Sequence, residues 1–306
     1  MKKIVQLFGF LAFALLFSCN PQKQADNKVS NDSTFRIVFM TDIHLQPELN
    51  AVEGFRRAMD SINKIAPDLV ISGGDLIMDA LAQKQSRADS LYFLYKEEVK
   101  RLKMPLYNTV GNHELFGVYP TSGVDTTDSL YGVKMFESKL GQPFYAFTHK
   151  NWKFIVLNSI TATKDRRYIG YVGQEQLAWL KSELAKTDST MPLVLVAHIP
   201  LLTSITQFNQ GSLVASTEGL VVNNSREILD VFSHHNLKLV LQGHLHILED
   251  NYIKNIHFIT GGAVCGGWWK GPHDGNQEGF LQMDFKGADF TWKYIDYGWS
   301  PELNKK

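Results

Sequence analysis

Six short runs dominated by valine, isoleucine and leucine recur along the chain, and each ends abruptly in polar or glycine residues. They are FRIVFMT (35–41), DLVISGG (68–74), PLYNTV (105–110), KFIVLNS (153–159), PLVLVAH (192–198) and KLVLQG (238–243). A strand exposed on one face alternates apolar and polar residues, whereas near-continuous apolar runs fit strands buried on both faces. Such strands need cover on each side. Between the runs, residues 51–66 carry Val52, Phe55, Met59, Ile62 and Ile65 on one helical stripe. Residues 79–103, 173–186 and 224–235 also read as helices. Toward the carboxyl end, 144–149, 251–260, 279–285 and 288–297 are aromatic-rich and partly alternating, as in antiparallel sheet. No break in composition divides 35–300, which predicts one α/β domain with its sheets covered by helices.

Composition removes several classes of protein. Hydrophobic residues make up 44% of the 306 and charged residues 20%, which excludes disorder, collagen and coiled coil. Lys+Arg and Asp+Glu both number 31, so nothing points to a nucleic-acid partner held by charge. The two cysteines, Cys19 and Cys265, are too few for a disulfide scaffold or a thiolate cluster.

The amino terminus reads as a targeting segment. Lys2 and Lys3 precede an apolar run, Ile4 to Phe17, that is shorter than the about 20 residues a membrane span needs. Residues 1–18 therefore fit a secretory signal peptide. Leu16-Phe17-Ser18-Cys19 resembles a bacterial lipoprotein processing site, with Cys19 as the lipidated first residue; an ordinary cleaved signal or a short anchor is the alternative. Residues 19–34 are polar and read as a flexible tether. The protein is expected outside the cytoplasm, at a membrane only through its lipid.

Open α/β sheets bind ligands outside the carboxyl ends of their strands. Five such ends here carry unusual polar groups: Asp42 and His44, Gly74-Asp75, Gly111-Asn112-His113-Glu114, His198, and Gly243-His244-Leu245-His246. Carboxylate, amide and imidazole together form the donor set that Mn, Fe or Zn prefers. Strand alternation would turn Ile43 and Leu245 away and bring both polar residues of each pair to one site. Each piece alone also fits a structural histidine or a turn. Five strand ends offering ligand chemistry do not, because so many buried polar groups without a partner would cost several kcal/mol.

In order, Asp-x-His, Gly-Asp, Gly-Asn-His-Glu, His and Gly-His-x-His closely resemble the calcineurin-like metallophosphoesterase superfamily, over about residues 35–265. The resemblance implies two mixed sheets packed as a sandwich, flanked by helices in four layers, with a dinuclear centre. It assigns Asp42, His44 and His246 to one divalent ion and Asn112, His198 and His244 to the other, with Asp75 bridging. His113 would lie beside the phosphate, with Glu114 orienting it. A metal pair of this kind clamps a phosphoryl group and activates a bridging water for in-line attack. Ile77 and Met78 follow Asp75 where purple acid phosphatases carry a tyrosine ligand, so a tyrosinate–iron centre is not expected.

Substrate contacts are less constrained. Residues 260–280 are glycine-rich and contain Trp268 and Trp269, which either stack on a leaving group or cover the core. Arg166 and Arg167 either hold a second phosphate or belong to a solvated loop. The reading is a hydrolase of phosphomonoesters or phosphodiesters acting on a small substrate. Hydrolysis of envelope or phospholipid head groups is one alternative. A non-catalytic scaffold is another, and the intact ligand set argues against it.

Overall fold

The computed structural model describes residues 34–301; the proposed signal peptide, Cys19 and all of the tether but Thr34 lie outside them. Thr34 is the first residue of β1 (Thr34–Met40), which pairs in parallel with β2 (Leu69–Ser72), itself parallel to β3 (Leu106–Asn108). The antiparallel strands β12 (Gly279–Lys286) and β13 (Asp289–Asp296) complete a five-stranded sheet of order β13-β12-β1-β2-β3. A second sheet has six strands in the order β10-β11-β9-β8-β5-β4. Its parallel centre is β5 (Trp152–Val156), β8 (Pro192–Val196), β9 (Asn236–Gln242) and β11 (Ile256–Gly261). The antiparallel edges are β4 (Tyr145–His149) and β10 (Leu248–Ile253). The fold is thus the expected pair of mixed sheets flanked by helices.

The continuity of the apolar runs has a direct cause. Phe35, Ile37 and Phe39 of β1 face Phe154, Val194, Val196, Leu239 and Leu241 across the sandwich. Val38 and Met40, on the other face of β1, join the core beneath the helices. The apolar residues of these central strands therefore meet a covered face on either side, at about 1.5–3 kcal/mol per buried aliphatic side chain. Helix α1 (Ala51–Ile65) buries Phe55, Ala58, Met59 and Ile62, as its stripe predicts.

Other elements differ from expectation for local reasons. The helix expected over 79–103 begins only at Gln85, as α2 (Gln85–Glu98), and tightens into a 3₁₀ turn at Val99–Arg101. Asp79 accepts the N–H groups of Leu81 and Ala82 and the Gln83 amide, and so holds the preceding residues in a turn. The run 251–260 is a hairpin: β10 and β11 join at Lys254-Asn255, both in the left-handed region. A ribbon of β6 (Ile160–Ala162) and β7 (Tyr168–Gly170) and two short helices, α3 (Lys134–Leu140) and α5 (Ile205–Gln210), were not expected. Helices α4 (Gln174–Ala185) and α6 (Ser225–Val231) stand where 173–186 and 224–235 place them.

Candidate metal centre

The carboxyl ends of β1, β2, β3, β8 and β9 bring all seven proposed ligands together. Asp42, His44, Asp75, Asn112, His198 and His246 are buried, and His244 is partly so. The mechanism of convergence is not strand alternation. β1 ends at Met40 and β9 at Gln242, and Asp42, His44, Asp75, His244 and His246 all lie at φ between 45° and 73°. Such backbone costs of order 1–3 kcal/mol per residue and persists only where the surroundings over-determine it.

The surroundings do so here. The N–H groups of Ile43 and His44 donate to the Asp75 carbonyl at 2.8 and 2.9 Å, latching the β1 and β2 ends together. The His244 N–H donates to the Asp42 carboxylate at 3.0 Å. Glu114 accepts four backbone N–H groups, from Asp75, Leu76, Ile77 and Gly111, at 2.7–3.2 Å. A Cβ at Gly111 would lie 2.2 Å from the Asp75 nitrogen, so only glycine permits this approach. Glu114 therefore braces the Asp75 loop. Its carboxylate is used up in doing so and does not orient His113 or a phosphate, the role the resemblance implied.

Two groups of ligand atoms share one oxygen. His44 Nε2 and His246 Nε2 lie 3.0 Å apart. Asp42 Oδ1 is 3.4 Å from His246 Nε2, and Asp75 Oδ2 is 3.5 Å from His44 Nε2. On the other side, His198 Nε2 lies 3.2 Å from both Asp75 Oδ2 and Asn112 Oδ1, and a His244 ring nitrogen joins the same cluster. Asp75 Oδ2 thus belongs to both groups.

The ring hydrogen bonds show which nitrogens face inward. His198 Nδ1 donates to the Gly73 carbonyl, His246 Nδ1 to Gly266 and His244 Nε2 to Gly219, at 2.6–3.0 Å. With those N–H groups committed outward, the opposite nitrogens present lone pairs to the cluster, as in metal-binding histidines. The Nδ1 atoms of His44 and His244 are buried and find no hydrogen-bond partner among the described residues. The donor set, with the unpartnered His244 Nδ1 and the inward Nε2 atoms of His44, His198 and His246, fits a pair of divalent cations.

Electrostatics divide the four histidines of the metal-free site: against the effect of burial, Asp75 raises His198 to about 9, and Cys265 and Asp42 raise His246 well above the usual imidazole range, while the other two are lowered. Burial, then the nearby His113 ring, hold His44 well below the usual imidazole range; burial and His198 push His244 down to about 4. Both rings are neutral at physiological pH, the form that binds metal. Burial would raise the Asp75 carboxyl, but His198 and His113 hold it well below the ordinary range, so it is ionised.

His113 sits at the rim. Its Nδ1 is bonded to the Met78 carbonyl, and its Nε2 faces the centre, 3.9 Å from Asp75 Oδ2, with the side chain 22% exposed. The two tryptophans separate. Trp268, 36% exposed, lies with its ring 4.5 Å from that of His246. Trp269 is 1% exposed, packs edge-on against Trp299 and donates Nε1–H to the His44 carbonyl. One lines the site and the other is core. Arg166 is not free for phosphate: its guanidinium donates to the carbonyls of Gly117, Val118, Tyr119 and Val124 and ties down that loop. Arg167 is exposed and pairs with Asp165 at 2.6 Å. Cys265 is buried with Sγ 3.8 Å from His246 Nδ1, a proximity its lone position in the sequence did not signal. Tyr168, on the same segment as Arg166 and Arg167, lies with its ring edge-on to His244 at 6.3 Å.

Two back-to-back mixed sheets with a buried histidine–carboxylate cluster on their strand ends define a metal-dependent hydrolase type of architecture. The sequence pattern of the calcineurin-like phosphoesterases matches residues 35–248; the chain belongs to that family and is a phosphoester hydrolase. It is 26% identical over 239 residues to a 3′,5′-cyclic-nucleotide phosphodiesterase of Nostoc sp., covering 75% of this chain and 78% of the relative. It is 24% identical over 227 residues to the 3′,5′-cyclic adenosine monophosphate phosphodiesterase of Escherichia coli, covering 71% and 72%. Its fold is similar to that of a dimetal phosphatase from Danio rerio, with a TM-score of 0.61 and 14% identity over 86% of this chain and 96% of the other.

Proposed function

We propose that this chain is a metal-dependent phosphodiesterase of small diesters of the cyclic-nucleotide kind. The observation that carries the metal-dependent chemistry is the Asp75 Oδ2 atom shared by two sets of ligand atoms. Preference for a diester is supported by the names of the two relatives. Asp42, His44 and His246 would hold one ion, Asn112, His198 and His244 the other, with Asp75 between them. A bound pair supplies Lewis-acid activation of water and of the phosphoryl oxygens. Two divalent ions held against only two carboxylates, Asp42 and Asp75, would leave the site net positive, which favours a phosphate anion. His113 Nε2, at the open rim, is placed to give a proton to the departing ester oxygen. Hydrolysis adds water across the P–O bond, so that oxygen leaves as an alcohol and the phosphoryl group keeps the new oxygen. The test is a panel of p-nitrophenyl phosphate, bis(p-nitrophenyl) phosphate and cyclic nucleotides with added manganese. The diesters are expected to be hydrolysed with the higher kcat/KM; hydrolysis of the monoester alone would overturn the diester reading.

Hydrolysis of phospholipid head groups is a second reading, favoured by one observation. Phe208 and Leu213 are 84% and 99% exposed on the segment that leads to Gly219 beside His244, an apolar tip suited to a bilayer interface. We also propose that Cys19 carries the lipid of an extracytoplasmic lipoprotein. Loss of membrane fractionation in Cys19→Ala checks it. Retention of that variant at the membrane would leave the tip or a retained anchor to account for binding.

A further inference from the structure

A cleft of about 480 Å³ opens beside His244, walled by Tyr119, Tyr168, Arg167, Thr217 and Gly219. Its volume lies within the usual range of small-molecule sites. The rings of Tyr119 and Tyr168 lie within 21° of parallel, with centroids 6.3 Å apart. Tyr168 in turn meets His244 edge-on, so the aromatic wall is continuous with a proposed metal ligand. Gly219 keeps this wall accessible. Its carbonyl fixes His244, while a Cβ at the same residue would stand 3.8 Å from Tyr168 Cε2, in contact with the ring.

The cleft lies away from the group proposed to serve the leaving oxygen. His113 packs edge-on to His44 at 4.5 Å, and Trp268 lies 6.0 Å from the same ring. Both therefore belong to the Asp42–His44–His246 side of the centre. A diester bound across the centre with its leaving group toward His113 places its other ester group on the His244 side. We infer that the Tyr168 ring, kept clear by Gly219, is the specificity surface for a planar, non-leaving ester group of the substrate. Stacking suits this task because it accepts any flat ring without a fixed hydrogen-bond pattern. The inference rests on the phosphodiesterase reading above.

Two diesters with one leaving group separate the cleft from the chemistry. Bis(p-nitrophenyl) phosphate and methyl p-nitrophenyl phosphate both release p-nitrophenolate, and differ only in the group that stays on phosphorus. The readout is the ratio of their kcat/KM values, measured with the manganese-loaded full chain. Tyr168→Ala is expected to lower that ratio about 10-fold, within the range that base–aromatic stacking supplies. Tyr168→Phe keeps the ring and should keep the ratio. Gly219→Leu attacks the same surface from the opposite wall and should also lower the ratio, whether or not Tyr168→Ala folds. An unchanged ratio in Gly219→Leu and in any folded Tyr168→Ala overturns the cleft assignment while leaving the phosphodiesterase reading intact. A wild-type chain that hydrolyses neither diester overturns that reading and the cleft with it.

Discussion

The Glu114 carboxylate accepts the backbone N–H of Asp75 at 2.9 Å, and through Leu76, Ile77 and Gly111 it holds both loops that converge on the centre. Its carboxylate hydrogen bonds go to backbone N–H groups and to no ligand side chain among the described residues, yet they brace the left-handed backbone of Asp75, common to both sets of ligands. Burial, and then the Asp75 charge, push the Glu114 pKa up to about 8 against the pull of the backbone donors.

Glu114→Ala should accordingly act as a metal-binding mutation at a distance. Four buried N–H groups lose their acceptor, at about 1–3 kcal/mol for each that water cannot reach. We expect a lower urea midpoint and a manganese affinity reduced about 10–100-fold, the range for residues that position ligands. A variant with wild-type affinity would show that the Asp75 loop holds itself.

Asp75→Asn is expected to be more damaging than any other single ligand change. It leaves the shape nearly unchanged and removes the only charge common to both sets of ligands. Titration calorimetry with manganese should show weakened binding at both sites, with a loss of rate beyond about 100-fold. Retention of two tight ions and near-normal turnover would disprove the bridging role.

The adjacent tryptophans should part company. Trp269→Ala opens a cavity beneath α1 and removes a donor from the His44 carbonyl, for a loss of about 3–5 kcal/mol in unfolding free energy. Trp268→Ala, at the surface, should change stability by less than about 1 kcal/mol and instead raise KM. Equal destabilisation by both, measured in urea, would remove Trp268 from the site.

Glu249 gives the pH dependence. Burial raises its pKa, but the hydroxyls of Ser204 and Thr203 and the Ser204 N–H outweigh burial and leave it below the ordinary glutamate value. A carboxylate depressed in the folded state stabilises the fold above its unfolded pKa, near 4.3, and loses that contribution as pH falls through the lower folded value. In metal-free protein, the stability gap between wild type and Glu249→Gln should shrink as pH drops from about 5 to 3. A constant gap would mean that the contacts are indifferent to ionisation.

Much of this was legible in the sequence for one physical reason. Strands covered on both faces leave few polar positions, so runs such as Ile37–Met40 and Pro192–Val196 announce themselves, and the residues that follow them stand out as anomalies. Left-handed backbone leaves no such mark unless glycine carries it. Lys254 and Asn255 therefore hid the β10–β11 turn, and the pairs Asp42/His44 and His244/His246 read as strand alternation when tight turns bring them together. The fates of Arg166, Trp268 and Trp269 depended on partners far along the chain. No local pattern shows that Arg166 reaches the 117–124 carbonyls, or that Trp269 meets Trp299.

His113 offers the sharpest test of mechanism, because it is proposed to meet substrate and not metal. Its Nδ1 is committed to the Met78 carbonyl, so any proton passed to a leaving oxygen must come from Nε2. A general acid typically contributes about 10²–10⁴-fold, and the contribution grows as the leaving group becomes more basic. p-Nitrophenolate departs without help; an alkoxide does not. His113→Ala should therefore cost little with bis(p-nitrophenyl) phosphate and far more with alkyl diesters, while manganese content stays at the wild-type level. A ring that only stabilises charge on the phosphoryl oxygens would act on every ester alike. Measuring kcat/KM for the alanine variant across esters of rising leaving-group pKa distinguishes the two. A loss that steepens along the series supports proton donation from Nε2, and a uniform loss rejects it.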